Sequence, residues 1–166
     1  MIFNDSLLDQ AETLLDRART AGVMIATAES CTGGLVSGLL TEIAGSSDVV
    51  ERGFITYSNE AKTEMLGVPK MLITLHGAVS EQVARAMAEG SLAKSLADIT
   101  ISVTGVAGPG GGTKDKPVGL VHFASAGRGR PTITYCEVFP GDRAAVRDAT
   151  VQTAFTILRH AVQAKS

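Results

Sequence analysis

Apolar and polar positions along the chain follow two periods, one typical of helices and one typical of buried strands. Apolar residues recur at helical spacing through 7–18 and again through 83–92, which predicts two amphipathic helices. Gly22 is placed to end the first of these helices, and Ser80 is placed to cap the second. Short apolar runs that are rich in β-branched residues lie between the helical segments and predict strands at 23–28, 51–58 and 99–105.

The remaining chain predicts three more helices and two more strands. One helix is expected from about Gly33 to Ile43, and another is expected to be capped by Ser58 and to stop at Gly67, before Pro69. Segments 118–126 and 132–139 predict two strands whose spacing favours a hairpin. The last helix begins near 141–142, and its predicted inner face carries Val146, Ala149, Thr153, Ile157 and Ala161.

This order of elements predicts an α/β fold. Strands that alternate with helices favour a mainly parallel sheet covered on both faces, and the absence of repeats or linkers predicts one domain over 1–166. Ligands of such sheets bind beyond the carboxyl ends of the strands. Three loops are expected at that edge, namely 28–34, 57–62 and the start of the glycine-rich segment at 104–112.

Composition and charge exclude several classes of function. The 166 residues are 45% hydrophobic and 19% charged, with a formal net charge of -2. This charge does not favour a nucleic-acid partner, and no stretch approaches the roughly 18 unbroken apolar residues of a membrane span. The acidic N-terminal segment is unlike a signal peptide and predicts a cytoplasmic protein. The two cysteines and three histidines have no metal-ligand spacing, so no metal is expected.

The loops at the predicted sheet edge carry small hydroxyl side chains and one amine, but no histidine. A serine hydroxyl needs a base to become a nucleophile, and without histidine the nearest candidate for Ser30 is the amine of Lys62. Lys62 lies near the start of a predicted helix, where the helix dipole and burial would both lower its pKa. Tyr57, Asn59 and Thr104 are predicted to lie at the same edge.

The segment TAESCTGG also predicts a site for a developing negative charge. The N–H groups of Cys31, Thr32 and Gly33 precede a helix and could bind an oxyanion, while Gly33 and Gly34 allow close approach to the backbone. Simpler interpretations stay open at this point. Ser30 could be only a helix cap, Lys62 could be a solvated cation, and Cys31 could be the nucleophile instead.

Several motifs in order identify a family resemblance across about 7–157. The segments AESCTGG, YSNEAK, LITLHGAVS, VTGVAGPGGGTKDKPVG and FPGDR resemble the nicotinamide-nucleotide amidohydrolases, the stand-alone form of the CinA C-terminal domain. The resemblance implies hydrolysis of the carboxamide of nicotinamide mononucleotide to nicotinate mononucleotide and ammonia, without a cofactor. It also implies a three-layer α/β/α fold with a mixed five-stranded sheet, and a homodimer.

The resemblance assigns roles to individual residues. The family's serine nucleophile matches Ser30, and its assisting lysine and tyrosine match Lys62 and Tyr57. The strand after the glycine-rich loop is expected to run antiparallel to the others. Beside this resemblance, Thr104 and Gly105 are expected to border the base or ribose of the substrate.

Arg143 in the FPGDR segment has two interpretations. Its guanidinium could bind the substrate phosphate near the start of the last helix, or it could form a surface ion pair with Asp142 or Asp148. Two other functions also remain open for the chain: a mononucleotide-binding module without catalysis, and an amidase that acts on another small amide.

Overall fold

A computed structural model describes residues 3–164, which form six α-helices, one short 3-10 helix (Ser46–Asp48) and the five strands of one sheet. In chain order the elements are α1 (Asp5–Ala21), β1 (Ile25–Glu29), α2 (Leu35–Glu42), β2 (Val50–Ile55), α3 (Asn59–Leu66), α4 (Lys70–His76), α5 (Glu81–Ala93), β3 (Ile99–Gly105), β4 (Leu120–Gly127), β5 (Arg130–Val138) and α6 (Arg143–Gln163).

The five strands lie in the order β2-β1-β3-β4-β5. Strand β1 is parallel to both of its neighbours, β4 is antiparallel to β3, and β5 is antiparallel to β4. Four strands therefore point one way and β4 points the other, which confirms the mixed, mainly parallel sheet. The reversal of β4 and the β4–β5 hairpin are confirmed as well.

Helices cover both faces of the sheet, as expected for a three-layer α/β/α fold. Helices α1, α2 and α6 pack together on one face, and α3, α4 and α5 pack on the other. Every residue of β1 is buried because this strand lies in the middle of the sheet between both layers. The larger apolar core lies under α1, α2 and α6, and a smaller one lies under α3 and α5.

Local signals in the sequence set several helix ends. Gly22 ends α1 in the left-handed conformation with φ of 63°. The Ser58 hydroxyl accepts the Ala61 N–H at 3.0 Å, and the Ser80 hydroxyl accepts the Val83 N–H at 3.3 Å. These side chains satisfy N–H groups that the first helical turn leaves without carbonyl partners.

The helix predicted to stop at Gly67 ends there, and the chain after Pro69, for which the sequence predicted no element, forms the short helix α4. One expectation, about the inner face of α6, was wrong in part. In α6, Val146 is buried as predicted, but the buried side continues through Thr150, Ala154, Leu158 and Val162. This face is buried because α6 lies across β3 and β4 rather than β5.

The topology brings three loops to one edge of the sheet. Strands β2, β1 and β3 are parallel neighbours, so the segments after Ile55, Glu29 and Gly105 leave the sheet side by side. The Thr56 N–H donates to the Glu29 carbonyl at 2.8 Å, which ties the first two of these segments together. Within residues 3–164, no helix is both long and apolar enough to cross a membrane.

Candidate active site

The turn between β1 and α2, residues 29–34, is held from inside by a buried carboxylate. Glu29 is 1% exposed, and its side chain accepts the N–H groups of Gly34, Val36 and Ser37 at 3.0, 3.1 and 2.8 Å. It also accepts the Thr32 hydroxyl at 2.6 Å. The negative charge therefore sits at the start of α2, where the helix dipole favours it. We call residues 29–34 the serine turn.

Ser30 and Lys62 meet across two neighbouring strand ends. The Lys62 Nζ lies 3.0 Å from the Ser30 Oγ and donates to the Thr56 carbonyl at 2.9 Å. Lys62 is 1% exposed and Ser30 is 8% exposed. Neither expected alternative, a solvated lysine or a serine that only caps a helix, describes this pair.

Burial favours the neutral form of the Lys62 amine. Transfer of an ammonium ion from water into the protein interior is unfavourable, so burial lowers the pKa of Lys62 from its ordinary 10.5. Among the described residues, no carboxylate forms an ion pair with Lys62 to offset this effect. A neutral amine can accept the Ser30 proton, as nucleophilic catalysis by serine requires.

Burial shifts the pKa of the Cys31 thiol in the opposite direction from that of the Lys62 amine. Burial raises the pKa of the thiol to about 11, which keeps the sulfur protonated and weakly nucleophilic near neutral pH. Removal of the thiolate from water is the largest effect on this pKa, which weakens the alternative that Cys31 is the nucleophile. Ser30, which has the amine as its partner, is the stronger nucleophile candidate.

Tyr57 and Arg143 connect opposite sides of the site. The Arg143 Nη2 donates to the Tyr57 hydroxyl oxygen at 3.0 Å, and its Nη1 donates to the Gly108 carbonyl at 2.8 Å. Among the described residues, Arg143 forms no ion pair with Asp142 or Asp148. The Arg143 guanidinium therefore lies at the site and joins the end of β2 to the glycine-rich segment.

These side chains surround one cleft of about 210 Å³, which we call the catalytic cleft. Eight residues singled out from the sequence line it: Ser30, Cys31, Tyr57, Asn59, Lys62, Thr104, Gly105 and Arg143. Thr32, Gly33 and Gly34 do not line it. The Gly33 N–H donates to the Ser30 carbonyl at 3.1 Å, and Thr32 is fully buried.

This arrangement changes the expected oxyanion site. The Gly33 and Gly34 N–H groups are bonded to the serine turn itself, and both glycines adopt positive φ values, 61° and 101°. In the described structure, the Cys31 and Thr32 N–H groups donate to no protein oxygen, but only Cys31 lines the catalytic cleft. Of these four amides, the Cys31 N–H is therefore the candidate that remains for a developing oxyanion.

The cleft also has walls that the sequence did not indicate. Ala78, Val79 and Ala107 line it, and the Thr104 hydroxyl donates to the Ala78 carbonyl at 2.8 Å. Small apolar residues in loops carry no chemical signal that would single them out. The Thr56 carbonyl that holds Lys62 is likewise a backbone group, which no residue type identifies.

Histidines and metal ligands are not part of this cleft. His76 lies at the end of α4, His122 lies on β4 and His160 lies on α6. In residues 3–164, no three His, Cys, Asp or Glu side chains are grouped so that they could hold a metal ion. The side chains that line the cleft carry hydroxyl, thiol, amide, amine and guanidinium groups.

Comparison with known proteins places this chain in a family. The sequence profile of the CinA C-terminal domain matches residues 8–162. The chain belongs to the CinA C-terminal domain family. Within it, a Shigella flexneri protein named nicotinamide-nucleotide amidohydrolase PncC is 46% identical over 161 residues, covering 96% of this chain and 98% of the relative.

Other members of the family are longer than this chain. A CinA-like protein of Akkermansia muciniphila is 53% identical over 129 residues, which cover 78% of this chain but 31% of the relative. The chain spans about a third of the length of several such relatives. Among solved structures, the competence/damage inducible protein CihA of Agrobacterium tumefaciens has a TM-score of 0.93 at 47% identity, covering 97% of this chain and 98% of that protein.

Proposed function

We propose that this chain hydrolyses the carboxamide of nicotinamide mononucleotide to nicotinate mononucleotide and ammonia. The observation that carries the proposal is the 3.0 Å contact between the Lys62 Nζ and the Ser30 Oγ, both buried beside a cleft. A serine with an adjacent neutral amine is a known arrangement for acyl transfer. The name of the Shigella flexneri relative, which matches nearly end to end, supports the substrate.

In the first half of the proposed reaction, neutral Lys62 takes the Ser30 hydroxyl proton while the Ser30 Oγ attacks the amide carbon. The C=O π electrons move to the carbonyl oxygen, and the Cys31 N–H stabilises the resulting oxyanion. Lys62, now an ammonium, returns the proton to the amide nitrogen. The C–N bond breaks, ammonia leaves, and an ester joins the substrate to Ser30.

In the second half, Lys62 takes a proton from a water molecule, whose oxygen attacks the ester carbon. The bond to the Ser30 Oγ breaks, Lys62 returns the proton to that oxygen, and nicotinate mononucleotide is released. Only water is consumed, so the proposed cycle needs no cofactor. Tyr57 and Arg143, which contact each other at the cleft, are proposed to orient the substrate and assist its proton transfers.

The test is ammonia release from three amides that share the reacting ring. Purified protein is incubated with nicotinamide mononucleotide, nicotinamide riboside or nicotinamide, and ammonia is measured. The proposal predicts efficient release from the mononucleotide. Release only from another amide would indicate a different amidase, and binding of the mononucleotide without release would indicate a binding module.

We also propose that the chain forms a homodimer and works in the cytoplasm. Strand β5 forms one edge of the described sheet, and Ile133 and Tyr135 on it are 68% and 46% exposed. A groove of about 460 Å³ runs between this strand and Ile157 of α6. A second copy would cover these apolar residues, because uncovered edge strands favour association. Sedimentation of the wild type and of Ile133→Lys tests this, with a shift to monomer expected for the variant.

A further inference from the structure

A second cleft opens beside the catalytic cleft, along the start of α6. It has a volume of about 470 Å³ and is lined by Pro109 and Val118 of the glycine-rich segment and by residues of 141–147. We call it the outer cleft. Arg143 lines both clefts, so the two spaces adjoin at its side chain.

The catalytic cleft is too small for a whole nucleotide. Its volume of about 210 Å³ lies below the roughly 300–1,000 Å³ of pockets that enclose a drug-sized ligand. When the carboxamide lies beside Ser30, the remainder of a nucleotide must therefore extend into an adjoining space. The outer cleft is the adjoining space that shares a cationic side chain with the catalytic cleft.

Arg147 lines the outer cleft with unused hydrogen-bonding capacity. Its Nη2 donates to the Thr32 carbonyl at 3.0 Å, whereas its Nε is buried and has no partner. Within the described chain, Arg147 forms no ion pair with a carboxylate, and its Nη1 donates to no protein atom. A planar guanidinium with free donors suits the oxygens of a phosphate.

Hydrogen bonding favours Arg147 over Arg143 as the main anion ligand. Both Arg143 Nη atoms already donate one bond each, to the Gly108 carbonyl and the Tyr57 hydroxyl, whereas only one Arg147 Nη atom donates to the protein. Asp142 is the acidic residue of the outer cleft, and its carboxylate accepts the Ala145 N–H at 2.9 Å. Two arginines against one aspartate leave the lining positively charged.

We propose that Arg147 binds the phosphomonoester of the nucleotide substrate in the outer cleft. Arg147 thereby makes the enzyme prefer a nucleotide over the nucleoside or the free base. This inference rests on the proposed function and adds a residue to it that the sequence pattern did not single out. Because Arg147 also holds the Thr32 carbonyl, its two roles must be separated by comparing substrates with and without phosphate.

The experiment compares Arg147→Met with the wild type on nicotinamide mononucleotide and nicotinamide riboside. For the mononucleotide, kcat/KM should fall by about 10²-fold, mainly through KM, because a charge-assisted contact to phosphate is lost. For the riboside, which has no phosphate, kcat/KM should change by less than about 3-fold. Arg159→Met, on the same helix but outside both clefts, is the matched control and should behave as the wild type does.

Equal losses on both substrates would overturn the proposal, because they would mean that Arg147 acts only through the serine turn. An unchanged kcat/KM for the mononucleotide would overturn it too. Calorimetric binding of nicotinate mononucleotide and nicotinate riboside provides a readout that does not need turnover. The wild type should bind the nucleotide at least about 10-fold more tightly, and Arg147→Met should remove that difference.

Failure of the proposed function has a different signature. If the wild type releases no ammonia from any substrate but shows the phosphate-dependent binding, the anion site stands and the amidase proposal fails. If the wild type binds the nucleotide and the nucleoside equally, the anion site is wrong whether or not ammonia is released.

Discussion

The two loops that form opposite walls of the catalytic cleft are held in different ways. The serine turn is fixed from within, by the Glu29 carboxylate and its bonds to three backbone N–H groups. The glycine-rich segment 106–119 is exposed through 109–115 and is held near its ends. There Arg143 donates to the Gly108 carbonyl and Lys116 donates to the His76 carbonyl.

This difference suggests that the two walls have different roles in the site. The wall that carries the nucleophile must keep the Ser30 Oγ within hydrogen-bond distance of the Lys62 Nζ, so its geometry is determined by many buried bonds. The other wall contributes Ala107 to the cleft and is joined to its surroundings by the long cationic side chains of Arg143 and Lys116. Changes in the serine turn should therefore cost far more activity than changes in the glycine-rich segment.

The largest effect is expected from removing the reacting pair. Ser30→Ala and Lys62→Met should each lower kcat for ammonia release by at least about 10³-fold, because either change removes the nucleophile or its base. The double variant should be no worse than either single one, since the two groups act as a unit. Lys70→Met, at the exposed start of α4, is the matched lysine control. Near-normal turnover in either single variant would contradict the mechanism.

The next largest effect is expected from removing the Glu29 carboxylate, which holds the serine turn from inside. Glu29→Ala should lower the free energy of unfolding by about 3 kcal/mol, because buried N–H groups lose their acceptor. Chemical denaturation measures this change. Glu29→Gln keeps one acceptor oxygen and should lose less stability than the alanine variant. Equal stability of wild type and Glu29→Ala would show that the carboxylate does not hold the turn.

A smaller effect is expected where Arg143 joins the end of β2 to the glycine-rich segment. Tyr57→Phe keeps the ring but removes the hydroxyl that accepts the Arg143 Nη2 hydrogen bond. If this hydroxyl assists proton transfer, kcat should fall by about 10- to 10²-fold with little change in the melting temperature. A kcat equal to that of the wild type would show that the Tyr57 hydroxyl does not assist the reaction.

The smallest effects are expected at the glycine-rich segment and at Cys31. Lys116→Ala removes the exposed contact with the His76 carbonyl and should lower the free energy of unfolding by less than about 1 kcal/mol, with KM rising only a few-fold.

Cys31→Ala should keep activity within about 3-fold, because a protonated thiol takes no part in the reaction and the Cys31 N–H is retained. Loss of activity in Cys31→Ala comparable to that in Ser30→Ala would make the thiol the nucleophile.

Short-range features were accessible from the sequence. The bounds of β3 and the caps at Gly22 and Ser58 depend on residues within a few positions of each other. The meeting of Ser30 and Lys62 was also predictable, because both follow neighbouring strands of a parallel sheet and ligands bind at that edge.

Longer-range features were not accessible from spacing alone. The reversal of β4 came only from the family resemblance, because the pattern of alternation does not give strand direction. The buried face of α6 depends on which strands it crosses. The Arg143 contact with Tyr57 joins residues 86 positions apart, and the use of the Gly33 N–H within its own turn depends on a positive φ.

The protonation state of Lys62 is the central claim, and its titration in the folded protein tests that claim most directly. The ¹³Cε resonance of Lys62, assigned by its loss in Lys62→Arg, can be followed by NMR as pH rises. Because burial lowers the pKa, the amine should lose its proton below the ordinary 10.5, and kcat/KM should rise with pH through the same midpoint. A Lys62 resonance that titrates at or above 10.5 would contradict the account.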